Sequence, residues 1–275
     1  MDQSPTRLGV MEEVPDRDRH DREALWARLR RDGYLLLRRA LDPGAVLAFR
    51  RYYFQQTRDA GLIAEHSDPT LGVAGDGPVD LATLRAALFS RVVPGKEYRD
   101  FCSQPAIRNW YAWFLGGDTF LHHRKILRHT RPHENGIGTA TQAHYDLVYL
   151  REGTDRVASS WIPLGACPVD RGGLVYLEGS HRRVLREEAE GRLKRPAASI
   201  TADLPALAEE YDSRWLMADF EPGDMLVHSA HIVHAALDNV DQERRMRLST
   251  DIRYQRADEP IDWRWQQHWH DQDGL

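Results

Sequence analysis

The sequence predicts a mainly β protein with flanking α-helices, in which a helical front half packs around a sandwich or barrel of short strands. Two observations predict it. Up to about residue 117, apolar residues recur at helical spacing behind capping residues. Beyond Gly117, short apolar or alternating runs take over, separated by clusters of Gly, Pro, Asp and Asn. No repeat, linker or low-complexity stretch divides the halves, and 275 residues suits one large domain.

Residues 1–19 are charged, hold two prolines and lack periodicity, so a flexible tail is expected there. One domain is expected over 20–275: helix-rich over 20–117, a β core over 118–255, and a Trp-rich tail over 256–275. Asp21 to Asp32 carries Leu25 and Leu29 one turn apart with Trp26 beside them, and Gly33 follows as a C-cap. Tyr34 to Leu37 is short and apolar enough for a buried strand. Asp42-Pro43 places an N-cap before a proline, opening a helix through Val46, Phe49 and Tyr53 to about Ala60. Two more helices are expected near 80–90, capped by Asp80, and over Pro105–Leu115, stopped by Gly116-Gly117. Strands are expected within 119–129, 144–150, 157–163, 173–178, 224–229 and 245–255.

Composition excludes several classes. Lys and Arg number 37 against 42 Asp and Glu, a net charge of −5, which argues against a binder that works by neutralising nucleic-acid phosphates. An apolar fraction of 41% argues against disorder, and no apolar run is long enough to span a membrane. The start lacks the apolar stretch of a signal peptide, and Cys102 and Cys167 cannot form a disulfide framework, so the cytosol is the expected compartment. Only Lys96, Lys125 and Lys194 among the basic residues are lysine, a bias typical of GC-rich bacterial coding.

Three segments carry candidate chemistry. Gln142 to Leu150 reads as a strand, and residues two apart on a strand share a face, so His144 and Asp146 point the same way. Together with one distant histidine they would make a two-histidine, one-carboxylate set with open positions, as in non-haem Fe(II) oxygenases. Gly223 to His234 supplies three candidates, His228, His231 and His234, and spacing alone does not choose between His228 and His234. Arg245 to Tyr254 alternates: Met246, Leu248, Ile252 and Tyr254 on one face, Arg245, Arg247, Ser249, Asp251 and Arg253 on the other. If that polar face lines a barrel, Arg247 would grip a carboxylate through its planar fork with Ser249 adding a hydroxyl, as a dicarboxylate co-substrate such as 2-oxoglutarate requires.

With those residues in view, the sequence resembles the phytanoyl-CoA dioxygenase family of Fe(II)- and 2-oxoglutarate-dependent oxygenases, from about Asp32 to Gln255. The resemblance rests on Asp32-Gly33-Tyr34, His144-Tyr145-Asp146, Trp161-Ile162-Pro163-Leu164, Gly172-Gly173-Leu174 leading to Gly179-Ser180-His181, Gly223-Asp224, His234 with Asn239, and Arg247-Leu248-Ser249. It implies a double-stranded β-helix, a jelly-roll or cupin-like core. It implies Fe(II) on His144, Asp146 and His234, with 2-oxoglutarate as co-substrate held by Arg247 and Ser249. Arg245 is the reserve anchor, since it shares the face and the family's range of spacings. Thr141 matches a position that bonds the metal-side carboxylate, and Lys125 is a second candidate for that task. The carboxylate Asp146 stands where halogenating members have a small residue, so halogenation is not implied.

The activity so implied is oxidation of an unactivated C–H of a small organic metabolite by dioxygen, with hydroxylation the usual outcome and epimerisation, cyclisation or desaturation as variants. A natural-product intermediate of bacterial secondary metabolism is the expected substrate class, with no nucleic-acid or membrane partner. Two other classes use the same residues: a cupin-type Zn²⁺ or Mn²⁺ hydrolase or isomerase, indifferent to Arg247→Ala, and a silent ligand-binding scaffold. Arg182 and Arg183 are read either as contacts for an anionic substrate or as an exposed basic pair. Tyr145 is read as core packing, His268 and His270 as tail residues, and Trp263 to Trp269 as a lid or a seal over the barrel.

Overall fold

A computed structural model describes residues 7–134, 141–150, 152–194 and 199–271. The chain opens with strand β1 (Leu8–Val10) and helix α1 (Arg22–Asp32), whose N-cap Asp21 accepts from the amides of Glu23 and Ala24. Gly33 closes α1 at φ 81°, turning the chain directly into β2 (Tyr34–Leu37). Helix α2 (Pro43–Gln56) starts behind Asp42, with Pro43 in the first turn, where its missing N–H has no helical partner to lose. It ends four residues before the expected Ala60 because the Thr57 hydroxyl bonds Tyr53 O and a short 3₁₀ turn, Arg58–Ala60, takes over. Then come α3 (Leu81–Ala87), running into a π turn at Leu88–Val92, and α4 (Lys96–Cys102). Helix α5 (Pro105–Leu115) completes the series and stops at Gly116, φ 76°.

The second half supplies β3 (Thr119–Leu121), β4 (Ile126–Thr130), β5 (Ala158–Pro163), β6 (Leu174–Leu177), α6 (Ser180–Ala189), α7 (Leu204–Glu210), β7 (Trp215–Met217), β8 (Met225–Ser229), β9 (His234–Ala236) and β10 (Arg247–Arg256). One sheet has the order β2-β8-β5-β10-β3, with β4 on the same edge of β10 as β3; the other has the order β1-β7-β6-β9. The sheets face each other, and every pairing between these strands is antiparallel except β1 with β7. This is the double-stranded β-helix implied above.

Period-two alternation fixes what each face of the larger sheet touches. Leu35, Leu37, Met225, Val227, Ile162, Leu248 and Ile252 join Leu25, Phe49, Tyr53, Ile107 and Phe114 in a core under the helices. The opposite face sends Tyr34, Leu36, Trp161 and Leu226 against Leu174, Tyr176 and Leu216 of the smaller sheet. Val175, Leu177 and Trp215 pack behind that sheet against Val184 and Leu207. Burial on both faces explains why Tyr34 to Leu37 is apolar throughout instead of alternating.

Two expectations are corrected. The described part of the expected tail is built into the fold: Leu8 to Val10 pair in parallel with Trp215 to Met217, Met11 N donates to Met217 O at 2.8 Å, and Met11 and Val14 are buried. An unpaired β7 edge and two apolar anchors in a polar run outweigh the lack of periodicity. Gln142 to Leu150 is not a strand either. Ala143 and His144 make single bridges to Thr201 and His234, and Asp146–Val148 is a 3₁₀ turn. Among the described residues no helix is long and apolar enough to cross a membrane.

Candidate metal centre

Segment 141–144 runs along β9, extending the smaller sheet by one bridge. His144 N donates to His234 O at 3.0 Å and His234 N to His144 O at 2.8 Å, which puts the two imidazoles side by side with ring centroids 4.2 Å apart. Each Nδ1 lies against a carbonyl two residues back, His144 on Gln142 O at 2.8 Å and His234 on Ile232 O at 3.0 Å. A carbonyl only accepts, so both Nδ1 atoms carry hydrogen and both Nε2 atoms present lone pairs. The 3₁₀ turn then brings in Asp146, wholly buried. Its Oδ1 accepts from Arg253 Nη2 at 2.8 Å, and its Oδ2 accepts from the Ser159 hydroxyl and lies 3.6 Å from His228 Nε2. One donor atom each from His144, Asp146 and His234 fall within 4.8 Å of one another. The face-sharing expected of a strand is thus reached through a bridge followed by a turn.

Protonation suits a divalent cation. Burial pushes His144 down to about 4, and burial with the neighbouring His144 and His228 holds His234 well below its ordinary value. Burial alone would raise Asp146, but Arg253, His228 and His234 outweigh it and keep the carboxyl ionised far below its usual range. Two neutral imidazoles and a carboxylate are what such an ion binds.

The same shifts set an acid limit. His144 and the buried His122, whose Nε2 lies 2.9 Å from Gln255 Oε1, both titrate near 4 because burial disfavours the charged ring. Unfolded, they take up protons near about 6.5. Between those values the unfolded chain holds more protons than the folded one, so stability is present above about pH 6.5 and is lost as pH falls towards 4. Urea unfolding of the metal-free protein should lose up to about 1.4 kcal/mol per pH unit for each of the two rings in this window; an unchanged midpoint from pH 7 to 4.5 would contradict the assignment.

Of the three histidines left open by spacing, His234 joins the group. His228 bonds Tyr176 OH through Nδ1 at 2.8 Å, and its Nε2 has no hydrogen-bond partner. His231 turns to α6, where Nε2 meets Glu188 Oε2 at 2.7 Å.

A cavity of about 90 Å³ beside the imidazoles is lined by Arg247, Ser249 and Thr141 and covered by Trp265 and Trp269 of the C-terminal segment. Arg247, 2% exposed, donates to Gly172 O at 2.5 Å and to Thr130 Oγ1 at 2.7 Å. Among the described residues its Nε and the Ser249 hydroxyl have no hydrogen-bond partner, and no carboxylate forms an ion pair with it. Gly172 is required for this cradle: it sits at φ 81°, and a Cβ would come within 2.5 Å of Leu237 O. Asn239 pins the two strands by donating to Thr130 O and Arg245 O, each at 2.9 Å.

Two candidates lie elsewhere. Arg245 precedes β10, pairs with Glu243 and is partly exposed, away from the cavity. Lys125 is buried on the helix side, donating to His123 O at 3.0 Å and lying over the Tyr98 ring. It precedes β4, whose even-numbered residues Ile126 and Arg128 face the cavity, so Lys125 has the wrong parity. Arg182 and Arg183 are held outside the barrel, by Arg31 O and by Glu187 with Glu210. His268 stacks on His123, and His270 lies against Asp271. The functional residues not foreseen are Arg124, Arg128 and Arg253; only Arg253 had a signal, its shared parity with Arg247 on β10.

A double-stranded β-helix with two imidazoles lining one cavity and a buried carboxylate within 4.8 Å of them has the architecture and donor set of the non-haem Fe(II) oxygenases. A family model described as "Phytanoyl-CoA dioxygenase (PhyH)" matches residues 29–247, and the chain belongs to that family. It is 28% identical over 248 residues to 1-deoxypentalenic acid 11-beta-hydroxylases of Streptomyces exfoliatus and Streptomyces arenae, covering 86% of this chain and 82% of each. Among solved structures it is similar to the non-heme alpha ketoglutarate dependent carbocyclase SnoK from nogalamycin biosynthesis, with TM-score 0.60 and 22% identity over 91% of this chain and 88% of that one. The epimerase SnoN, solved in complex with Fe3+, alpha ketoglutarate and nogalamycin RO, gives TM-score 0.58 and 22% identity over 86% and 84%. At these identities the solved structures bear on the fold.

Proposed function

We propose that this chain is an Fe(II)- and 2-oxoglutarate-dependent hydroxylase acting on an unactivated C–H of a small organic molecule, in the cytosol and in bacterial secondary metabolism. The observation that carries the reading is one cavity lined by two Nε2 lone pairs, with a carboxylate within 4.8 Å of them, and by a buried arginine that has no counter-ion among the described residues. The residues fit both groups. His144 and His234 bind the ion through Nε2, and Asp146 supplies the anionic ligand. Bound there, ferrous iron with a chelated keto acid supplies the oxidising chemistry that no side chain can. Arg247 and Ser249 take the remote carboxylate of the co-substrate, and the Thr141 hydroxyl serves the carboxylate next to the keto group. Arg253 and Ser159 hold Asp146 in one orientation, and Trp265 and Trp269 keep bulk water from the site. The Streptomyces hydroxylases favour hydroxylation among the possible outcomes.

Arg253→Met tests the support of Asp146. Removing the partner of a buried carboxylate should cost the metal-free protein about 3–5 kcal/mol, and saturating Fe(II) should restore most of it by replacing the lost positive charge. Equal losses with and without metal would reduce Arg253 to packing.

The reading itself is tested by anaerobic titration with Fe(II) and then 2-oxoglutarate, following the weak visible band of a chelated keto acid. The band is expected, with succinate formed on admitting air. Iron bound without a band would instead favour a Zn²⁺- or Mn²⁺-type hydrolase or isomerase.

A further inference from the structure

We propose that the substrate is an anion, a carboxylate carried on an apolar body, and that Arg128 binds its charged end; the inference rests on the oxygenase reading above. Arg128, Arg247 and Arg253 reach the cavity, three positive charges against Asp251 in its wall and Asp146 behind the imidazoles. Arg253 is spent on Asp146, and Arg247 is matched to the co-substrate. A divalent ion and a dianionic keto acid cancel, so loading both leaves the positive excess in place. A low-dielectric enclosure with surplus positive charge favours an anion as its next occupant.

Arg128 is the residue placed to meet it. β4 sets it opposite Ser249 of β10, two pairs along from Thr130 opposite Arg247 and so on the same face, where it borders the co-substrate position without being needed there. It is half-buried, faces the cavity, and makes no hydrogen bond or ion pair among the described residues. Its planar fork can bond both oxygens of a carboxylate. Ile126, Trp161, Leu174, Ala236 and Trp269 supply the apolar wall for the rest of the molecule.

The test uses the Fe(II)- and 2-oxoglutarate-loaded protein under anaerobic conditions, titrated calorimetrically with cyclohexanecarboxylate and decalin-2-carboxylate and with their neutral amides. Wild type should bind at least one acid ten-fold or more tighter than its amide. Arg128→Met should bring acid and amide within two-fold, Arg128→Lys should keep most of the preference, and the keto-acid band should form at the same 2-oxoglutarate concentration, within two-fold, in all three proteins. Among the described residues Arg128 makes no hydrogen bond or ion pair, and Arg128→Lys, which keeps a positive charge near Asp251, shows whether any change in Arg128→Met comes from lost folding. Acids bound no better than amides, or not at all, overturn the proposal. So does a ten-fold loss of 2-oxoglutarate affinity in Arg128→Met with the acid preference intact, which would make Arg128 a co-substrate ligand. Failure of the oxygenase reading looks different: wild type gives no band, while the acid-against-amide comparison on the unloaded protein still decides the role of Arg128.

Discussion

Arg247→Met is expected to raise the 2-oxoglutarate concentration needed for half-formation of the keto-acid band by about a hundred-fold, while Fe(II) binding stays within two-fold. A desolvated, hydrogen-bonded charge pair is worth about 2–5 kcal/mol when one partner is truncated, and Arg247 is buried with only neutral acceptors on its guanidinium. The same substitution should leave the stability of the ligand-free protein unchanged or improved, because it removes a buried charge that has no counter-ion until the co-substrate arrives. Arg245→Met, on the surface beside Glu243, should do neither. Titration and urea unfolding of the two variants in parallel check this; a large loss of ligand-free stability in Arg247→Met would mean that the arginine is there to hold the strands together.

The second large effect is at the ligands. His234→Ala should weaken Fe(II) binding by at least a hundred-fold and abolish 2-oxoglutarate consumption, with His144→Ala equal to it. His231→Ala should leave both within two-fold, since its Nε2 is turned to Glu188. Anaerobic equilibrium dialysis separates these outcomes. Iron lost from His231→Ala but kept by His234→Ala would move the centre.

The helical half was legible because its signals are local. Asp21, Asp42 and Asp80 cap the helices they precede, and Gly33 and Gly116 adopt the left-handed conformation that ends them. The alternation of β10 was equally plain, since one face meets the helices and the other the cavity. What was not legible depended on distant partners. β1 and β7 have three residues each, too few for a period; β7 exists because it pairs with β6, and β1 because it covers the edge that β7 would leave open. The side chains of His144 and Asp146 converge as a strand would have made them, yet by way of a turn, because leaving the sheet after His144 is what lets Asp146 reach Arg253 and Ser159. Lys125 was misjudged because β3 and β4 are separate strands on one edge of β10, and the break over 122–125 hides the parity that favours Arg128.

The Trp-rich C-terminus has a consequence for how the protein loads. Trp265 and Trp269 line the same cavity as the two imidazoles, Arg247 and Ser249. Trp265 is held by the guanidiniums of Arg253 at 4.4 Å and Arg124 at 5.3 Å, and Trp269 by the edge of Phe89 at 5.3 Å. Where the entry of a ligand requires either ring to move, these contacts must break first, and its apparent affinity is weakened by the fraction of molecules in which they are broken. Trp265 and Trp269 therefore help govern apparent Kd and KM, and substituting either would alter both without touching a candidate metal ligand.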